Sequence, residues 1–504
     1  MALQVSLSTF ARIALTAVDS AFLGHLGTSS LAAASLASTW TYVALAGVWC
    51  GATALITLCG QAWGAKNGVL TGVWLQIGIA LVTVLSVPVM AWYCWCIGFL
   101  LELSTDDNEV VQLGVRFARI LSLSVWPSLV YICLRLYFQS MGIMTPITVV
   151  GMLSIGLAVA ANYVLVFGAY GFGGFGFDGS PMATVIAAWF QPIALVAYCI
   201  FFKKMHLQAW GGWDFASFTP DRLQVFLKIA TPLAANNVMS SLASSALALI
   251  AAKLGSEVIA ANAVVGGLWS LLWALFWGFG SATQIRVANL LGANRPNAAR
   301  VLAFLGFSCT VATVSALAIA TFLLRESLFH LYSTDDTLVQ MCMLAQPIFI
   351  TGYMIESMEI LISSVLAAMG EVRVTAWTSS LSVWLVGIPS AYVGGIVLGF
   401  GLRALWFGVC AMEVVKLLVF ALVLLRVDWT AMARRAVKNM ETNSANESDV
   451  ETESLHVAMS EGGVATGNAA PVMSSPAALE LLTPSRRKQQ WDQVEDQLVS
   501  ACQV

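Results

Sequence analysis

The chain has 504 residues, of which 59% are hydrophobic and only 10% charged. A soluble domain carries about 25% charged residues, so this composition excludes an ordinary soluble globular protein. The formal net charge of −3 says nothing about partners, because most of the charge lies in loops and the tail, and no nucleic-acid signature is present.

A bilayer core takes roughly 20 apolar residues per helix. Such stretches lie near 3–24, 33–60, 71–99, 116–139, 146–168, 182–202, 226–252, 258–281, 301–324, 341–367, 376–398 and 403–425. The expected fold class is therefore all-α, a polytopic membrane protein with twelve transmembrane helices. The first stretch carries Arg12 and Asp19, which argues against a cleavable signal peptide. Lys66, Lys203, Lys204, Arg286, Arg295, Arg300, Arg373, Arg434 and Arg435 follow even-numbered spans. The loops after spans 3 and 9 are acidic, with Glu102, Asp106, Asp107 and Glu109 in one and Glu326, Asp335 and Asp336 in the other. The positive-inside rule then places both termini in the cytoplasm, with Arg325 and Arg403 as exceptions.

The chain repeats itself at a spacing of 228. His25-Leu26-Gly27 aligns with Lys253-Leu254-Gly255, Ala32-Ala33 with Ala260-Ala261, Gly64-Ala65 with Gly292-Ala293, and Met141-Gly142 with Met369-Gly370. Ser104-Thr105-Asp106-Asp107 returns one place later, as Ser333-Thr334-Asp335-Asp336. Each copy holds six spans, and an even number enters and leaves on the same side. The copies are thus parallel repeats about an axis along the membrane normal, an arrangement typical of secondary transporters. By this offset Met1 falls on residue 229, so the first copy lacks the lead-in Lys228-Ile-Ala-Thr-Pro232 of the second, as expected of a start placed late. The expected domains are an N-terminal lobe over 1–205, a cytoplasmic linker over 206–225, a C-terminal lobe over 226–435 and a tail over 436–504.

From about Met440 the chain is rich in Ser, Thr, Glu, Ala and Gly with no apolar period, which predicts a disordered cytoplasmic tail. Its acidic cluster around Ser448, and Thr483-Pro484 before Arg486-Arg487-Lys488, are candidate phosphorylation sites. The Asn446-Glu447-Ser448 sequon lies on the wrong side for glycosylation, and Cys502 stands one place too late for prenylation. The ten cysteines are scattered, without CxxC pairs or metal-ligand spacing, so neither a structural disulfide nor a metal site is expected.

Carboxylates in hydrocarbon cost at least about 2.5–3.5 kcal/mol on insertion scales and so mark candidate sites. Asp19, about five residues before the outer end of helix 1, is a candidate proton or cation site. Its structural alternative is a pair with Arg12, seven residues and about 10 Å away along the axis. Glu356 lies mid-helix 10, with Glu359 one turn on along the same side. Two carboxylates that close repel, as suits a proton carrier; alternatively Glu359 bonds Ser or Tyr groups at a helix interface. Glu413 and Lys416, three apart in helix 12, read as a structural ion pair. Lys253 and Arg135 are expected to snorkel to the interface. Asn162, Asn236, Asn237 and Asn262 are amides within spans, suited to interhelical bonds or to lining a cavity. The 18 Trp and 25 Phe supply either interface belts or ring faces for flat cations.

These residues resemble a known family, the MATE (multidrug and toxic compound extrusion) transporters of eukaryotic type, over residues 1 to about 435. Val18-Asp19-Ser20-Ala21-Phe22-Leu23-Gly24-His25-Leu26-Gly27 resembles the end of its helix 1, and Gly60-Gln61-Ala62-Trp63-Gly64-Ala65-Lys66-Asn67 its helix 2 motif. Arg286-Val287-Ala288-Asn289-Leu290-Leu291-Gly292-Ala293-Asn294, Asn162-Tyr163 and Val386-Gly387-Ile388-Pro389 also fit. The resemblance implies two six-helix lobes in a V around a central cavity. It also implies antiport of organic cations or amphipathic metabolites against protons or sodium ions, with no other cofactor. Asp19 falls where bacterial members carry a cation-binding aspartate, and Glu356 where eukaryotic members carry an acidic residue; Glu359 joins them as a coupling candidate. Gln61, Asn162 and Asn262 are candidate cavity residues. One departure stands out: eukaryotic relatives carry glutamates on helix 7 where this chain has Ser240 and Ser245.

The rival readings are a flippase for a lipid-linked substrate, expected to have a more basic cavity, and a membrane receptor or scaffold acting through the tail. An enzyme is not expected, since no Ser/His or His/Asp constellation appears among four histidines. Either the plasma membrane or a vacuolar or other organellar membrane fits as its location.

Overall fold

A computed structural model describes residues 1–105, 107–169, 173–214, 217–330 and 336–439. Asp106 and Asp335 of the acidic loops, and the segment 440–504 with Asn446, Ser448, Thr483 and Cys502, lie outside the described residues. Among the described residues no strand occurs. This follows from the solvent, because a chain in hydrocarbon must satisfy every backbone N–H and C=O internally.

The helices in order are α1 (Ala2–Gly24), α2 (Ser29–Gly64), α3 (Gly68–Ser104), α4 (Asn108–Ser140), α5 (Thr145–Phe167) and α6 (Gly176–Phe202). The second set is α7 (Pro220–Lys253), α8 (Ser256–Gly292), α9 (Pro296–Leu323), α10 (Asp336–Ala368), α11 (Val372–Val397) and α12 (Leu402–Arg426). Eleven described helices, α2 to α12, are long and apolar enough to cross a membrane; α1, with its two charged residues, is the twelfth of the bundle. A last helix, α13 (429–439), packs Ala433 and Ala436 against Val365, Leu366 and Phe420. Arg435 Nη1 fastens it to Glu371 Oε1 at 2.7 Å. The predicted second span runs through to Gly64, broken at Thr53, whose hydroxyl donates to Cys50 O at 2.6 Å.

The internal repeat is visible in the backbone. Gly27 and Gly255 have φ of 128° and 110°, Lys66 and Asn294 61° and 56°, and Gly142 and Gly370 82° and 83°. Each pair lies 228 apart and forms the same turn in each lobe. At Gly142 and Gly370 the left-handed turn after a helix favours a residue without Cβ.

The lobes meet through helices exchanged across the repeat, with α1 against α8 and α2 against α7. Contact falls toward the end of the bundle that carries Met1. A Cβ on Gly64 would stand 1.9 Å from Asn289 O, and one on Gly292 would stand 2.0 Å from Gln61 O. Ser6 donates to Leu275 O at 3.2 Å, Thr57 to Ala367 O at 2.8 Å, and Gln284 to Thr57 Oγ1 at 3.3 Å. Every hydrogen bond between the lobes found among the described residues involves this half of α1, α2, α7 or α8. Near the other end, residues Thr16, Ala17, Ser20 and Ala21 of α1 and Leu249 of α7 are exposed. The bundle is closed at one end and open between its lobes at the other.

Candidate functional site

In the N-terminal lobe, α1, α5 and α6 bring three side chains together. Asp19 Oδ1 accepts a hydrogen bond from Asn162 Nδ2 at 3.0 Å, and Oδ2 accepts one from Thr184 Oγ1 at 2.6 Å. Asn162 is fully buried and also donates to Ala158 O at 3.0 Å, while its own Oδ1 is enclosed without a donor. It ends the regular part of α5, where Tyr163–Phe167 winds into a wider π turn. Such turns recur at functional sites because they re-aim side chains. Two neutral donors hold the carboxylate in place without neutralising it, so the group retains the capacity to bind a proton or a cation.

The alternative pairing of Asp19 with Arg12 is not formed. The Arg12 guanidinium instead lies over the Trp49 ring, 4.8 Å from its centroid. Arg135 does not snorkel: it is buried, and its guanidinium lies 5.8 Å from the centroid of the same ring. The reason is that α4 runs on to Ser140 and packs against α2, α3 and α6, which encloses residue 135.

In the C-terminal lobe, the packing of α10 on α12 gathers four ionisable groups. Lys416 Nζ lies 2.5 Å from Glu413 Oε1, the expected pair within α12. Glu356 and Glu359 of α10 lie within electrostatic reach of that pair. Glu359 and Glu413 are buried. Glu356 Oε2 and Glu413 Oε2 are enclosed and accept no hydrogen bond. Three carboxylates thus share one ammonium in an apolar lobe. Sequence reasoning singled out Glu356 and Glu359 but treated Glu413 and Lys416 as separate; a carboxylate inside a hydrophobic span was the signal that should have joined them. Beside the cluster stands a ring assembly. Trp269 lies 5.6 Å from Phe349 and 5.0 Å from Trp406, and Tyr353 lies 5.3 Å from Phe349, centroid to centroid.

The remaining candidates are placed as follows. Gln61 is buried and donates from Nε2 to Ala368 O at 2.9 Å across the lobe boundary. Asn262 is half-buried on α8 and makes no hydrogen bond with the described residues. Asn236 accepts from Ser380 Oγ at 3.0 Å. On α7, Ser241 and Ser245 donate to their own helix, to Asn237 O and Ser241 O. Thr184, which completes the Asp19 site, carries no local sequence signal. A cavity of about 510 Å³ at the closed end, lined by Thr57, Gln61, Lys228, Arg373 and Arg435 among others, touches neither acidic site.

A family model described as MatE matches residues 5–164 and again 232–393, once in each lobe. The chain is 26% identical to Protein DETOXIFICATION 17 of Arabidopsis thaliana over 441 residues, covering 87% of this chain and 91% of that one. It is 24% identical to Multidrug and toxin extrusion protein 1 of Xenopus tropicalis over 443 residues, 86% of this chain and 74% of the other. Among solved structures, the eukaryotic MATE transporter AtDTX14 superposes with a TM-score of 0.78 at 23% identity, over 87% of this chain and 96% of its own. An outward-facing multidrug resistance MATE family transporter superposes with a TM-score of 0.76 at 16% identity, over 87% and 95%. These likenesses extend to the fold of both lobes.

Proposed function

Since the chain belongs to the MatE family of multi-pass membrane transporters, we propose that it is a proton-coupled exporter of organic cations or amphipathic metabolites. The observation that carries this reading is the excess of carboxylates at Lys416. Glu356, Glu359 and Glu413 face a single ammonium, and three like charges in low dielectric cannot all ionise cheaply. A proton on one of them relieves the repulsion. The cluster is therefore suited to hold a proton in one state of the lobes and release it in another.

The bundle is closed toward the end that carries Met1 and open at the other. With both termini in the cytoplasm, the open end faces outward. A coupling ion must bind the outward and inward states with different affinity, since only that difference shifts the equilibrium. The gradient is sufficient, at about 2.3 kcal/mol per charge per 100 mV and about 1.4 kcal/mol per pH unit. Asp19 is a second coupling site in the other lobe.

The test is efflux of a fluorescent organic cation from proteoliposomes, driven separately by pH and by sodium gradients. Efflux driven by the pH gradient, and lost in Glu356→Gln with the fold kept, is expected. Sodium-driven efflux lost in Asp19→Asn instead would move coupling to the N-terminal lobe. Gradient-driven efflux unchanged in both variants would refute the reading.

A further inference from the structure

We propose that Arg12, Arg135 and Trp49 form an anion site in the N-terminal lobe, which takes the oxyanion head (carboxylate, sulfonate or phosphate) of a small organic molecule. The proposal rests on the transport reading only in naming that molecule as cargo.

Two guanidiniums stand over one indole ring, 4.8 and 5.8 Å from its centroid. A cation in an apolar interior is costly and is ordinarily paired with a carboxylate or with backbone carbonyls. Neither arginine has such a partner here. Neither makes an ion pair or donates a hydrogen bond among the described residues, and both Nε atoms are enclosed without an acceptor. The groups that face Arg12 are Tyr42 and Cys50, and those that face Arg135 are Tyr131 and Arg12 itself. Asp19 does not compensate them, because its two oxygens are held by Asn162 and Thr184. The arrangement therefore puts like charges together with no anionic partner. The indole face offsets this only in part. An oxyanion supplies what is missing, and the planar guanidinium fork matches its geometry.

The site is reachable. Arg135 is buried, but Arg12, Trp49 and Tyr131 are half-buried and Tyr42 is 52% exposed. It also borders the opposite lobe, since Cys50 lies close to Asn237 of α7. A ligand seated here would lie where the lobes part, with the tyrosine rings beside its apolar body. The polarity is opposite to that of the carboxylate cluster around Lys416.

The experiment measures equilibrium binding to the full chain in phosphatidylcholine nanodiscs, using two probes with the same ring and opposite charge, 2-naphthoate and 2-naphthyltrimethylammonium. Ammonium binding is expected to be independent of Arg12 and Arg135, and naphthoate binding to depend on both. Arg12→Gln and Arg135→Gln are each expected to weaken it at least tenfold. Lys substitutions at both positions, which keep the charge but lose the fork, should weaken it at least threefold, and they decide the matter should a Gln variant fail to fold. Unchanged naphthoate affinity in folded arginine variants, or an equal loss of ammonium and naphthoate affinity in them, overturns the proposal. Nanodiscs containing phosphatidylglycerol separate the two sources of the head: displacement of naphthoate assigns the site to a lipid headgroup, and no displacement assigns it to a soluble anion. Because no gradient is applied, a failure of proton-driven efflux leaves this result standing. Cation efflux that persists in a protein with no naphthoate binding overturns the anion site alone.

Discussion

Gln61 and Asn289 occupy the same position in the two repeats, 228 apart, and each sends its amide across the lobe boundary to equivalent carbonyls. Gln61 Nε2 donates to Ala368 O at 2.9 Å, and Asn289 Nδ2 donates to Ser140 O at 3.2 Å. The acceptors are also 228 apart. The repeat is thus a working two-fold contact between lobes, which any transition between open and closed ends must break or remake.

Gly64 and Gly292 allow that contact. A Cβ at Gly64 would meet the Asn289 carbonyl oxygen at 1.9 Å, and backbone cannot swing aside as a side chain can. Overpacking of this kind costs about 1–3 kcal/mol. Gly64→Ala is expected to part the lobes at the closed end and to shift the open–closed balance by roughly 5- to 150-fold, by the usual 1.4 kcal/mol per factor of ten. Spin labels on α2 and α8, read as a distance distribution, check it; an unchanged distribution would refute the coupling of this contact to lobe position. Gln61→Ala removes one hydrogen bond, worth about 0.5–1.5 kcal/mol, and should shift the same distribution by less.

The glycines of this contact explain why so much of the architecture could be read from sequence. Close approach at Gly64 and Gly292, and the left-handed turns at Gly142 and Gly370, restrict residue type so tightly that they keep the repeat legible. The spans follow from apolar length. The sites were only half legible. Asp19, Asn162, Glu356 and Glu359 stand out as polar groups where polarity is expensive. Their partners do not: Thr184 is 165 residues from Asp19, and Glu413 meets Glu356 only through the packing of α10 on α12. Arg135 misleads because nearness to a helix end suggests a route to the interface, which neighbouring helices in fact close.

Thr184 is the sharpest probe of the Asp19 site. Thr184→Val keeps the shape and removes the 2.6 Å hydroxyl donor. A hydrogen bond to a charged group is worth about 1.5–3 kcal/mol, so ion affinity at Asp19 and gradient-driven efflux should change by roughly 10- to 150-fold. Thr184→Ser, which restores the donor, should recover most of it. Equal behaviour of Val and Ser variants in the proteoliposome assay would show that the hydroxyl does nothing for Asp19.

Lys416 neutralises the carboxylate cluster, so its loss should be felt more than the loss of any one acid. Breaking a buried pair from one side costs about 3–5 kcal/mol, because it leaves an uncompensated charge behind. Lys416→Met leaves Glu413, Glu356 and Glu359 with no ammonium in reach and should lower thermal stability sharply. Glu413→Gln removes the partner at 2.5 Å but leaves Lys416 beside two further carboxylates, so its cost should be smaller. The double variant removes both charges and should recover part of the Lys416→Met loss. The three unfolding midpoints, measured in one detergent at one pH, form a double-mutant cycle. A favourable coupling of roughly 1 kcal/mol or more establishes the pair. Strict additivity would mean that Glu413 and Lys416 do not stabilise one another despite their 2.5 Å approach, and would refute the pair.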